Sequence, residues 1–137
     1  MWWIYALLSA LFAALTAIFA KIGVQGMDSD LATAIRTVVI LIVAWGIVLV
    51  KGSAENITNL NKTHWIFLIL SGCATGLSWI FYFKALQLGR VSQVAPVDKL
   101  SVALAIILSV IFLKEPITWK SASGALLIIA GTLVLIF

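Results

Sequence analysis

Val38-Val39-Ile40-Leu41-Ile42-Val43-Ala44-Trp45-Gly46-Ile47-Val48-Leu49-Val50 holds no charged side chain, and across residues 31–50 Arg36 alone is charged. A helix that crosses a bilayer uses about 20 such residues. An isolated strand in hydrocarbon would leave its backbone groups unpaired, so a lone span of this kind is a helix. Working outward, four more stretches repeat the pattern, and they are bounded by charges and turn residues. One precedes it, from about residue 2 to 20, and stops at Lys21, Gly23 and the polar run Gln25 to Asp30. Three follow, at about 65–83, 94–113 and 121–137, separated by the Ser53–Thr63 linker, by Lys84 with Gly89-Arg90, and by Lys114-Glu115-Pro116. Thr118 stands where a helix N-cap is expected. Trp2, Trp3, Tyr5, Trp65 and Trp119 fall at span ends, as an interfacial aromatic belt requires.

The whole composition agrees with this reading. Of 137 residues, 64% are hydrophobic and 10% charged, and the mean hydropathy is +1.19. Soluble domains are about 45–50% apolar and about 25% charged, so too few polar groups remain to cover a water-exposed surface. A soluble enzyme, a nucleic-acid-binding domain and a disordered chain are excluded. The expected fold is all-α, an integral membrane bundle of five transmembrane helices forming one domain over residues 1–137. The first stretch lacks a basic leader and a small-residue cleavage site, so it reads as a retained span. With a single cysteine, Cys73, there is no intrachain disulfide.

Orientation is weakly encoded. One side receives Lys51, Lys62, Lys114 and Lys120; the other receives Lys21, Lys84 and Arg90, with Arg36 and Lys99 just inside the spans. The positive-inside rule needs an excess on one side. Two readings stay open: a single orientation set by other cues, or insertion both ways with antiparallel pairing to a second copy. An odd number of spans suits the latter, because duplicating such a unit in tandem inverts the second copy.

Polar residues inside the spans are the informative ones. Ser9, Ala13, Thr16 and Ala20 recur at helical spacing in the first span, as do Ser71, Thr75, Ser78 and Tyr82 in the third. Ala95, Asp98, Ser101, Ala105 and Ser109 do the same in the fourth. Residues three and four apart share a face, so spans 1, 3 and 4 are expected to line an interior, with spans 2 and 5 outside. Thr16, Thr75, Ser78, Trp79, Tyr82, Ser101 and Ser109 are the substrate-cavity candidates. The competing reading is close packing, for which Gly72 and Gly76 form a GxxxG match.

Packing accounts poorly for Asp98, which lies about 6 Å into its span at ~1.5 Å per residue and has a side chain too short to snorkel. Intramembrane ionisable groups need partners and are functional-site candidates. Arg36, Lys84 and Lys99 approach from the same side, so these four form an expected intramembrane charge cluster. Either it fixes packing near the interface, or it recognises substrate or responds to protons. Pro96 removes a backbone donor and is the expected helix break, a usual element of transporter binding sites; in a first helical turn it would instead be harmless. Trp79, Tyr82 and Phe83 offer an aromatic face, either to a flat or cationic substrate or to lipid. His64 reads as solvated and Cys73 as a packing residue. No catalytic constellation, metal spacing or phosphate loop is present, so neither catalysis nor a cofactor is expected.

Several segments resemble the EamA-like module of the drug/metabolite transporter superfamily. They are Arg36-Thr37, Ser71-Gly72 through Gly76-Leu77-Ser78-Trp79, and Ala85-Leu86-Gln87-Leu88-Gly89. Ala95-Pro96-Val97-Asp98-Lys99-Leu100-Ser101, Phe112-Leu113-Lys114-Glu115-Pro116 and the Gly124 to Gly131 spacing complete the likeness, which covers the whole chain. Most relatives carry two such modules, inverted around a central cavity. The resemblance therefore implies one half of a ten-helix inverted-repeat architecture, completed as a homodimer, antiparallel in one form, or with a sister five-helix chain. It implies a secondary transporter exporting a small metabolite or drug-like molecule by alternating access in a bacterial or archaeal cytoplasmic membrane. A non-transporting membrane subunit that scaffolds or regulates a complex is the alternative. Distant four-helix relatives couple to protons through a first-helix Glu; no acidic residue lies between Trp2 and Ala20, so that mechanism is not expected to be copied directly.

Overall fold

A computed structural model describes residues 1–137, with every side chain except that of Asn56. The chain is all-α. Its helices are α1 (Trp2–Gly23), α2 (Ser29–Val50), α3 (Lys62–Leu88), α4 (Val91–Asp98), α5 (Leu100–Phe112) and α6 (Trp119–Ile136), with a 3₁₀ helix at Ser53–Asn59. Counting α4 and α5 together as Val91–Phe112, five segments are long and apolar enough to cross a membrane.

Local chemistry sets the helix ends. Asp28 caps α2, its carboxylate accepting from the N–H groups of Asp30 and Leu31, each at 3.0 Å. Asp30 adds a favourable charge in the first turn. Gly52, with φ +66°, supplies the left-handed step after α2 that a Cβ would resist. Asn61 accepts from His64 N–H at 3.0 Å and starts α3. The expected cap at Thr118 is present and reciprocal. Its hydroxyl accepts from Ser121 N–H at 3.1 Å, and Ser121 Oγ accepts from Thr118 N–H at 3.0 Å. Lys114 ends the α5 connection at φ 54°, a conformation usually left to glycine.

Several helices run past the ends that hydropathy places, by two or three residues in most spans and most of all in α3. The 27 residues of α3 extend about 40 Å at ~1.5 Å per residue, more than the ~30 Å hydrocarbon core. Its ends, Lys62–His64 and Lys84–Leu88, are therefore polar or interfacial turns that a hydropathy window trims. The fourth span also breaks at Lys99 rather than Pro96.

By its contacts the chain divides into two compact units, Ala20–Gln87 and the pair of segments Met1–Phe19 and Leu88–Phe137. In the first unit Val24, Ala32 and Phe83 form the core, with Ala20, Met27 and Tyr82 packed against it. In the second, α6 packs on α4 and α5, and Ala103 and Thr132 are buried. Most large apolar side chains face outward, which suits a protein whose solvent is lipid.

Candidate functional site

In the Ala20–Gln87 unit the site begins with α2. Ser29, Ala32 and Thr33 are buried and Arg36 is half-buried, a 3-1-3 spacing that makes one helix face. Thr33 and Thr37 return their hydroxyls to the backbone one turn earlier, on Ser29 O at 2.9 Å and Thr33 O at 2.8 Å. This face turns Arg36 toward α3. Its guanidinium carbon lies 4.4 Å from the centroid of the Trp79 ring and 5.2 Å from that of Phe83. Trp79 and Phe83 are four residues apart on α3, so both rings lie on one side of that helix. Tyr82 stands edge-on to Phe83, with centroids 6.4 Å apart, and lies within electrostatic reach of Arg36. The aromatic face read from the sequence thus holds a cation, and the cation is the chain's own.

Beside this seat, the ends of α1 and α3 are tied together. Gln87 donates its amide to Val24 O at 3.2 Å and Met27 O at 2.6 Å. In return Lys21, in the last turn of α1, donates to Leu86 O. Gln87 thereby satisfies two carbonyls of the turn between α1 and α2, and Lys21 one near the C-terminal end of α3.

The other unit contains the interrupted span. Pro96 sits inside α4 and cannot donate to Ser92 O. The helix nevertheless continues to Asp98 and stops at Lys99. The Pro96 carbonyl, which would receive the Leu100 N–H in a regular helix, instead accepts from Lys99 N–H at 3.1 Å and from Thr132 Oγ1 of α6 at 3.2 Å. This tighter turn displaces the break three residues downstream. Thr132 also donates to Ile128 O at 2.8 Å. At the break, Asp98 pairs with Lys99, Oδ2 to Nζ 3.0 Å, and both side chains keep solvent contact.

The sequence-derived residues divide between the units. Arg36 and Trp79 are brought together, with Tyr82 close by. Lys84, further along α3, is exposed, as are Thr75 and Ser78. Thr75 returns its hydroxyl to Ser71 O at 2.8 Å. In the other unit Thr16 and Ser109 are half-buried and Ser101 is exposed; Ser109 donates to Ile106 O at 3.0 Å. Lys21, Gln87 and Thr132 escaped the sequence reading. A lone amide or hydroxyl in an aliphatic run was the available signal for Gln87 and Thr132. Spans 2 and 5, expected outside, each contribute buried polar residues: Ser29 and Thr33 from α2, and Thr132 from α6.

Five apolar helices, one of them broken beside an ion pair, define an integral, multi-pass membrane protein. The chain belongs to the EamA-like transporter family, whose model matches residues 1–137. It is 50% identical over 134 residues to a Sinorhizobium protein described as an uncharacterized transporter in the cobO 3' region, covering 98% of this chain and 95% of that one. It is 30% identical over 132 residues to an uncharacterized protein of Methanocaldococcus jannaschii, covering 96% and 93%. No solved structure matches the chain.

Proposed function

We propose that the chain is one half of a secondary transporter that exports a small metabolite or drug-like molecule by alternating access. A second copy, in antiparallel orientation, supplies the other half. The membership of the full chain in the EamA-like family carries the proposal. The interruption of the fourth span beside Asp98 and Lys99 supports it, because interrupted helices are a usual element of transporter binding sites. The near-even distribution of Lys and Arg between the two sides supports dual insertion. The Sinorhizobium and Methanocaldococcus relatives favour the cytoplasmic membrane of a bacterium or archaeon.

The test is flux of a solute panel across liposomes containing the purified protein. Asp98→Asn and Lys99→Ala are each expected to lower flux about tenfold, equivalent to ~1.4 kcal/mol of lost interaction, while cross-linking still shows a dimer. Unchanged flux in both variants removes the pair from the mechanism. No flux of any solute, with a stable co-purifying partner, would favour a scaffolding subunit. Reporter tags at the C-terminus and within residues 53–63 are expected to give equal signals from both membrane faces; one clean orientation would exclude the antiparallel pair.

A further inference from the structure

Arg36 is an uncommon group for its place. It lies seven residues beyond the start of α2, about 10 Å along the axis at ~1.5 Å per residue, with no other charged residue from Leu31 to Val50. Charges at such depth are normally paired. Among the described residues no carboxylate pairs with Arg36; the ion pair present is Lys99 with Asp98. Asp28, at the head of the same helix, turns its Oδ1 to the N–H groups of Asp30 and Leu31. The rings of Trp79 and Phe83 attract the guanidinium and fix where it lies, but they carry no net charge and cannot neutralise it. Nor do rings beneath the guanidinium use the donors around its edge. A guanidinium carries five N–H donors in a rigid fork that matches carboxylate and phosphate; among the described residues Tyr82 lies within electrostatic reach of Arg36, and a single phenol does not supply the paired acceptors that the fork fits.

We propose that Arg36, held against Trp79 and Phe83, is the seat of an oxyanion, the carboxylate or phosphate group of a soluble metabolite or of a lipid headgroup. The aromatic pair positions the fork and shields one side from water. The anion supplies the missing charge through charge-assisted hydrogen bonds, which are stronger than neutral ones. Binding at this seat stands apart from the transport reading; only the step from bound anion to transported solute rests on it.

The experiment uses delipidated full-length protein in a neutral maltoside detergent, titrated with inorganic phosphate, with acetate, and with short-chain phosphatidylglycerol. Tryptophan emission and thermal stability are followed, with chloride at matched ionic strength as the control. A saturable response to an oxyanion but not to chloride is expected. Arg36→Gln is expected to weaken it at least about tenfold, as loss of a charge-assisted pair requires. Arg36→Lys keeps the charge but not the planar fork; it is expected to bind about three- to tenfold more weakly, and it keeps the test decisive if Arg36→Gln misfolds. Saturation by phosphate or acetate identifies a soluble anion; saturation by phosphatidylglycerol alone identifies a headgroup, and either supports the seat. No saturable response in the unmodified chain, or equal binding in both variants, overturns it. Because the assay needs no flux, loss of transport and loss of the seat are read separately.

Discussion

Phe83→Ala is expected to destabilise the Ala20–Gln87 unit by about 3 kcal/mol, within the range for truncating a buried phenylalanine. Phe83 is 3% exposed and packs in the core with Val24 and Ala32. It also lies 5.2 Å from the Arg36 guanidinium. Lipid tails are as apolar as the ring, so area removed from water explains little of the loss inside a bilayer. Two other terms do: the dispersion contacts forfeited around an unfilled space, and the cation losing one of its rings, about 0.5–1 kcal/mol. Phe83→Leu fills most of the volume and is expected to cost about 1 kcal/mol, leaving the cation effect exposed. Unfolding by denaturing detergent in mixed micelles measures both. A loss below about 1 kcal/mol for alanine would show that the ring does not organise this unit.

Gln87→Leu is the second large effect, about 2 kcal/mol. The amide serves two carbonyls, Val24 O and Met27 O, and leucine would occupy similar space while leaving both without this donor. Lys21 on Leu86 O belongs to the same knot, and Lys21→Met alone is expected to cost about 1 kcal/mol. Since both changes loosen the same pair of helix ends, the double variant should fall short of the sum. Hydrogen exchange of the α1–α2 turn provides an independent readout, with protection lost in either single variant. Strict additivity would mean that the two bonds act separately.

The spans were legible because hydropathy reports the solvent, and lipid leaves a strong mark on sequence. Caps were legible where one residue type does the work, as at Thr118. Ends were not, because α3 continues as helix through Lys62–His64 and Lys84–Leu88, where polar side chains reach the interface without disturbing the backbone. The break at Lys99 was only half legible. Pro96 announces a missing donor, but where the backbone yields depends on which group takes the Pro96 carbonyl, and Thr132 stands 36 residues away. In the sequence the site shows as an aromatic face on the third span and a charge cluster grouped by side of entry into the membrane. Periodicity places each residue on its own helix, and it cannot say which helix meets which. So Arg36 was expected among Lys84, Asp98 and Lys99, whereas its observed contacts are the rings of α3.

Thr132 has one hydroxyl proton and two carbonyls within reach, Ile128 O in its own helix at 2.8 Å and Pro96 O across the contact at 3.2 Å. The proton is shared between them, so the tie from α6 to α4 is weaker than a hydrogen bond made to Pro96 O alone. If the two helices part, the hydroxyl turns wholly to Ile128, and the Pro96 carbonyl keeps the Lys99 N–H. The contact between the broken span and α6 therefore holds register through a hydroxyl that keeps a second acceptor in its own helix, so its loss would leave no donor without a partner.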